Sequence, residues 1–344
     1  MNETQHTALY RKYRPEHFND VVGQENVVEL LSKQLKQKKL AHAYLFYGGR
    51  GTGKTTVARI FAREAGCSPS DIIEIDAASN RGIDEIRELR EAVRSMPFSS
   101  PYKVYIVDEA HMLTKEAANA LLKTLEEPPA HVIFILATTD PEKLPHTIVS
   151  RCQKIEFRQP SLRLLVTRLS HVAHEEGKKL DDDAGLLIAA FGKGSYRDAL
   201  GVLEQVIVRI SETSIKKDKV REILGAPHEE YIVNLLESIC NSDVTLMLKT
   251  LSHCKEKGID ASILYKELLE YFRLALLTRI GEKDIAVHPL PDVEEKINDL
   301  AKTYAKELTS SKLLKLMDQE KYLSLSFVNQ YTALEMILLE YIGE

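Results

Sequence analysis

The stretch Gly48-Gly49-Arg50-Gly51-Thr52-Gly53-Lys54-Thr55 satisfies every fixed position of the pattern G-x-x-x-x-G-K-[ST], and it follows the short apolar run Ala43-Tyr44-Leu45-Phe46-Tyr47. Strand, loop and helix in that order build a cradle for phosphate groups. Concentrated negative charge needs several backbone N–H groups aimed at it, and glycine permits both the tight turn and the close approach. Lys54 adds a point charge and Thr55 a hydroxyl for Mg²⁺, with Thr56 next on the same segment. Val57, Ile60 and Phe61 recur at helical spacing, so a helix is predicted to start at the loop with its positive end toward the phosphates. A chance glycine-rich turn is the competing account, and the eight positions with a strand before them weigh against it.

A length of 344 residues supports two or three domains, each able to bury a core. The net charge of −5 comes from interspersed acidic and basic residues, so bulk electrostatics do not announce a nucleic-acid binder, although a local basic surface is still allowed. Cys67, Cys152, Cys240 and Cys254 form no C-x-x-C pair, which argues against a disulfide framework and a complete zinc site. The amino terminus lacks an apolar signal core, and no apolar run approaches the roughly 18 residues of a membrane span. A soluble cytoplasmic protein with free thiols and no membrane contact is therefore expected.

Between Ala43 and Phe157 short β-rich runs alternate with helical patterns, the signature of a parallel sheet with crossover helices. The predicted strands are Ala43–Tyr47, Ile72–Asp76, Lys103–Asp108, Val132–Thr138 and Lys154–Phe157. Ala118, Leu121, Leu122 and Leu125 share one helical face, and proline ends that helix at Glu127-Pro128-Pro129. After Gln159-Pro160 the strand signal stops. Helical patterns follow, broken at Gly177, Gly192-Lys193-Gly194, Gly225-Ala226-Pro227 and Gly281–Pro291. This divides the chain into an α/β part over residues 1–160, a small helical part over 161–225 and an all-helical part over 226–344.

The apolar strand Val104-Tyr105-Ile106-Val107 ends in Asp108-Glu109-Ala110-His111. Asp108 is suited to hold Mg²⁺ through water, and Glu109 to orient and activate a water that attacks a γ-phosphate. An ordinary acidic turn is the alternative, weakened by the phosphate loop upstream. His111 is read as completing packing or a hydrogen bond, with no catalytic role. Thr139, in Leu136-Ala137-Thr138-Thr139-Asp140, stands where a polar group could position water or sense the γ-phosphate. Arg151, in Ser150-Arg151-Cys152, and Arg197, in Gly194-Ser195-Tyr196-Arg197-Asp198-Ala199-Leu200, are candidates to neutralise charge on a transferred phosphoryl group. A surface ion pair is the competing account for either arginine, and from the residues alone it is the stronger one.

Together these segments resemble AAA+ ATPases, and more closely the gamma/tau family of bacterial DNA polymerase III clamp-loader subunits. The resemblance also rests on Tyr10-Arg11-Lys12-Tyr13-Arg14-Pro15, Val22-Gly23-Gln24, Glu74-Ile75-Asp76-Ala77-Ala78-Ser79 and Leu121-Leu122-Lys123-Thr124-Leu125-Glu126-Glu127-Pro128-Pro129, and it spans nearly all of residues 8–205. It implies an AAA+ domain with a five-stranded parallel sheet, a helical lid and an all-helical oligomerisation collar. The implied activity is ATP hydrolysis that loads a ring-shaped sliding clamp onto primed DNA, as a component of the DNA-directed DNA polymerase III holoenzyme. Lys54, Thr55, Asp108 and Glu109 then belong to the ATP site with Mg²⁺, Thr139 to sensor 1 and Arg197 to sensor 2. Arg151 becomes the arginine finger for a neighbouring subunit's ATP, while Tyr10, Arg11, Arg14, Pro15, Val21 and Val22 line the adenine and ribose pocket.

The implied partners are other clamp-loader subunits in a pentameric hetero-oligomer, the clamp, and primer–template DNA contacted through its backbone. Arg81 and Arg87 are candidates for that contact, with a solvated charged face as the alternative. Where family members carry a four-cysteine zinc module, Glu64-Ala65-Gly66-Cys67-Ser68-Pro69-Ser70-Asp71 joins helix to strand directly, so no zinc is expected. That departure resembles the small subunits of replication factor C. The tau-type extension is also expected to be absent. Other tasks suit the same fold: a helicase-type motor, a remodeller of protein complexes, or a scaffold that binds ATP without hydrolysing it.

Overall fold

The computed structural model describes residues 7–79, 88–89, 91–281, 291–324 and 328–343, so Arg81 and Arg87 lie outside the described residues. The close contacts of the chain group it into two compact units. One comprises Met1–Val172 with Ala189–Glu204, the other Ala173–Ile188 with Gln205–Glu344.

The first unit is built on β1 (Ala43–Gly48), β2 (Ile72–Asp76), β3 (Lys103–Asp108), β4 (Val132–Thr138) and β5 (Gln153–Phe157). They form one sheet in the order β2-β3-β4-β1-β5, every pair parallel. The predicted strands differ from these only by one residue, at the end of β1 and at the start of β5. Because side chains alternate across a strand, the apolar runs supply two opposite faces at once. Leu45, Tyr105, Val107, Phe134 and Leu136 pack with Leu121 and Leu125 of the helix Lys115–Glu126. Tyr44, Phe46, Val104, Ile106 and Ile135 pack with Val57 and Phe61 of the helix Lys54–Glu64 and Leu31 of the helix Glu25–Gln37. Each such buried side chain stabilises the unit by about 1.5–3 kcal/mol. Register sets the pairs: Tyr105 lies opposite Phe134, their rings stacked with centroids 5.4 Å apart.

Several buried polar groups of this unit have partners that follow from their chemistry, while the Tyr105 hydroxyl has none among the described residues. The fully buried Tyr44 donates its hydroxyl to Gln34 Oε1 at 2.8 Å and accepts from Ala41 N at 2.9 Å. The helix Lys115–Glu126 starts at Thr114, whose hydroxyl accepts from Ala117 N, and stops before Pro128. At the direct link between helix and β2, the buried Asp71 carboxylate accepts from Phe98 N at 2.6 Å and Ser99 N at 3.1 Å. Ser68 N donates to Ser100 Oγ at 2.7 Å. These bonds fasten the loop that leads into β3.

In the second unit the helices Glu229–Asn241, Val244–Glu256, Ala261–Ile280, Ser310–Gln319 and Gln330–Gly343 enclose Leu235, Leu251, Leu268, Phe272 and Leu334. Asp243, Asp260 and Thr309 cap three of them by accepting from Leu246 N, Ile263 N and Lys312 N. The purely helical expectation after Pro160 needs one correction: Lys179–Leu180 and Ser214–Ile215 pair as short parallel strands. Two residues are too few to show a period of two, so only the contact reveals them. Among the described residues no helix is long and apolar enough to cross a membrane.

One carboxyl group makes this unit sensitive to pH. Burial pushes the Glu267 carboxyl up to about 7, the neighbouring Glu270 and Glu229 reinforce the rise, and Arg221 opposes it. Its folded pKa therefore exceeds the ordinary value near 4.3, so the folded form binds the proton more tightly and stability falls as pH rises from about 4 to about 7. Glu267→Gln is expected to raise the urea midpoint at pH 8 and to leave it unchanged at pH 4, measured by far-UV circular dichroism.

Candidate functional site

The phosphate loop leaves β1 where no side chain fits. At Gly48, φ is +144° and an added Cβ would meet Phe157 O at 2.1 Å; at Gly51, φ is +68° and a Cβ would meet Ser195 Oγ at 1.9 Å. The loop turns tightly, with Thr52 Oγ1 donating to Gly49 O at 2.9 Å, and Gly53 opens the helix Lys54–Glu64. Lys54 is buried, and its Nζ donates to Gly48 O at 2.9 Å and Gly49 O at 2.8 Å. Burial lowers the Lys54 pKa, Glu109 and then Asp108 oppose that, and Arg197 adds to it.

The acidic residues reach this loop through strand order. Thr55 Oγ1 donates to Asp108 Oδ2 at 2.8 Å across 53 residues of sequence, and Asp108 Oδ1 accepts from Glu109 N at 3.1 Å. Glu109 follows in a left-handed conformation, φ 48° and ψ 44°. Thr139, just past β4, donates its hydroxyl to Glu109 Oε2 at 3.3 Å. The carboxyl ends of β1, β3 and β4 thus gather Lys54, Thr55, Asp108, Glu109 and Thr139, as adjacent parallel strands do. A hydroxyl beside a carboxylate is a hard oxygen donor set, which fits Mg²⁺.

A cleft opens over this group. Its walls include Tyr10, Arg14, Pro15, Val21 and Val22, the loop and helix start from Arg50 to Thr56, Asp108, Glu109 and Arg197. Gly48, Gly49 and Thr139 stand behind that lining and are hydrogen-bonded to it. Arg11 adjoins the cleft, its guanidinium 5.7 Å from the Tyr10 ring centroid, and Arg197 stands 5.9 Å from the same centroid. Arg14 Nε donates to Thr56 Oγ1 at 3.1 Å, and burial lowers its pKa, with Arg59 next in weight. Arg151 is not brought to the cleft. Its guanidinium donates to Thr147 O at 2.8 Å and to Glu126 Oε1 at 2.6 Å, about one-third exposed at 35%.

The sequence reading missed Tyr13, Asp20, Arg168, Tyr196 and Leu200, which also line the cleft. Tyr196 N donates to Gly51 O at 3.1 Å and its hydroxyl to Val22 O at 3.0 Å, while Arg168 Nη2 donates to Tyr13 O. Tyr196 adjoins Arg197 in sequence and could have been taken with it; Arg168 sits in a helical pattern with no local mark. The buried Gln24 ties the segment before the helix Glu25–Gln37 to the chain after β5, its Nε2 donating to Arg158 O at 2.7 Å. His111, read as a bystander, stands with Nδ1 3.0 Å from Thr138 Oγ1 and 3.5 Å from Glu109 Oε2.

Among the described residues no three His, Cys, Asp or Glu side chains are placed to share a metal ion. Cys67 donates to Tyr102 O at 3.3 Å, and burial pushes its thiol up to about 11.

Residues 23–81 and 68–161 match the family described as DNA polymerase III, delta subunit, and residues 215–342 match DNA polymerase III subunits gamma and tau domain III. The chain is 42% identical to DNA polymerase III subunit tau of Bacillus subtilis (strain 168), over 86% of this chain and 56% of the relative. It is 35% identical to DNA polymerase III subunit gamma of Buchnera aphidicola subsp. Baizongia pistaciae, over 79% of each. The chain spans about half the length of several other relatives, including 49% of DNA polymerase III subunit tau of Escherichia coli (strain K12). The RuvB Holliday junction branch migration motor of Thermotoga maritima shares the fold, with a TM-score of 0.53 and 24% identity over 66% of this chain and 79% of that one. The cleft lies on the AAA+ fold, and the chain belongs to the family of DNA polymerase III gamma/tau subunits.

Proposed function

We propose that this chain is an ATPase subunit of a bacterial clamp loader, using ATP binding and hydrolysis to place a sliding clamp on primed DNA. The observation that carries the hydrolytic part is the convergence of Lys54, Thr55, Asp108, Glu109 and Thr139 at neighbouring strand ends. Backbone N–H groups of the loop from Gly48 to Thr55 and the Lys54 charge receive the phosphates. Thr55 and Asp108 would hold Mg²⁺, which would supply positive charge to the phosphates when bound. Glu109 takes the proton from the attacking water, and Thr139 keeps its carboxylate in place. Arg197 approaches the phosphates from the lid side. Tyr10, Arg11, Arg14, Pro15, Val21 and Val22 hold base and ribose, with Tyr13, Arg168 and Tyr196 added from the cleft lining.

Arg151 serves a neighbouring subunit's nucleotide. Its exposed guanidinium, outside its own cleft and held by Glu126, supports that role. The functional division follows residues 1–160 as the ATPase domain, 161–225 as its lid and 226–344 as the oligomerisation collar. The assembly is a pentameric hetero-oligomer in the cytoplasm that meets primer–template DNA through its backbone. ATP and Mg²⁺ are its cofactors, with no zinc.

The experiment is steady-state ATP hydrolysis by the chain assembled with its partner subunits, with and without clamp and primed duplex. Turnover rises when both are added, and Glu109→Gln lowers it about a hundredfold or more while ATP still binds. Unchanged turnover in every assembly would sink the reading. For Arg151, assemblies mixing Arg151→Ala and Lys54→Ala subunits separate the two sites: loss at the neighbour's site is expected, and loss confined to the variant's own site refutes the role in trans.

A further inference from the structure

We propose that His111 is a positioning residue for Glu109, donating from Nδ1 to hold one carboxylate oxygen and leave the other for the attacking water. The inference rests on the hydrolytic reading above and gives a role to the last residue of the segment Asp108-Glu109-Ala110-His111.

The geometry is specific to one carboxylate oxygen. Thr139 Oγ1 donates to Glu109 Oε2 at 3.3 Å, and His111 Nδ1 stands 3.5 Å from that same Oε2. An ionised carboxylate only accepts, so a lone pair on Nδ1 would face the lone pairs of Oε2, whereas a proton there turns the contact attractive. The same Nδ1 lies 3.0 Å from Thr138 Oγ1. Thr138 is fully buried on β4 and already accepts from Asp140 N at 3.0 Å, so the hydroxyl is a fixed anchor for the imidazole. With a proton on Nδ1, the ring faces Thr138 Oγ1 at 3.0 Å and Glu109 Oε2 at 3.5 Å. Asp140, the other nearby acid, is engaged by Lys143 at 2.7 Å, which leaves Glu109 as the carboxylate that faces the ring.

The backbone shows why Glu109 needs outside support. It adopts a left-handed conformation that non-glycine residues seldom take, so its side chain is placed by its surroundings and not by a regular strand or helix. The His111 side chain is 12% exposed and that of Glu109 is 33% exposed, so the restraint comes from the protein side while the carboxylate still meets solvent. Among the described residues no hydrogen bond reaches Glu109 Oε1. That oxygen is left to accept from water.

Three substitutions separate orientation from packing. Alanine removes ring and donor, phenylalanine keeps a ring without a donor, and asparagine places an amide N–H close to where Nδ1 stands. In the clamp-stimulated assembly, His111→Ala and His111→Phe should each lower kcat about tenfold or more, while equilibrium binding of a fluorescent ATP analogue stays within about twofold. His111→Asn should retain at least about a third of kcat, because it restores the donor. The proposal is overturned if His111→Phe turns over like the unchanged chain, if nucleotide affinity falls in proportion to kcat, or if asparagine is no better than alanine. Absence of turnover in the unchanged chain would instead overturn the hydrolytic reading and this inference with it.

Discussion

A 2.8 Å hydrogen bond between Thr55 and Asp108 depends on the whole α/β unit. Asp108 ends β3 and Thr55 opens the helix that follows the loop after β1; β1 and β3 are not neighbours, and β4 lies between them. A parallel sheet brings all its strand ends to one edge, and only a sheet ordered β2-β3-β4-β1-β5 sets the loop after β1 beside acids after β3 and a threonine after β4. The apolar faces that hold those strands in register are therefore part of the site, and Val57 belongs both to that packing and to the cleft lining.

The electrostatics of the cleft follow from that arrangement. Lys54 is a buried cation, and burial alone drives it toward neutrality; Asp108 and Glu109 counter this. Arg14, Arg50, Lys54, Arg168 and Arg197 meet only Asp20, Asp108 and Glu109 among the lining residues. Lys54 is buried and Arg14 and Arg168 are half-buried, a desolvation cost that a polyanion offsets, while Arg50 and Arg197 are exposed. Burial lowers the Arg14 pKa, Arg59 and Arg197 add to that, Glu74 and Asp108 oppose it, and its Nε rests on the Thr56 hydroxyl.

Much of the fold was legible because both faces of the sheet are covered. Runs such as Val132–Thr138 are buried throughout, so they read as continuous apolar strands, and the phosphate loop is a local pattern enforced by backbone geometry at Gly48 and Gly51. The pair Lys179–Leu180 and Ser214–Ile215 was invisible because two residues carry no periodicity. Tyr13 and Arg168 were missed for a different reason. They enter the cleft by meeting each other, Arg168 donating to the Tyr13 carbonyl across 155 residues, and no local spacing encodes such a meeting.

The sequence by itself determined the chemistry: a loop that must bind phosphate, acids of the right kind at a strand end, and helices whose apolar stripes need partners. Those are properties of a few consecutive residues, set by sterics and side-chain type. Only the tertiary structure decided how the chemistry is held. It turned His111 from a bystander into a neighbour of Glu109, placed Thr139 on the carboxylate, and kept Arg151 out of its own chain's cleft. Each depends on which strands lie side by side. That order is fixed by the packing of whole faces, which no single stretch of sequence contains.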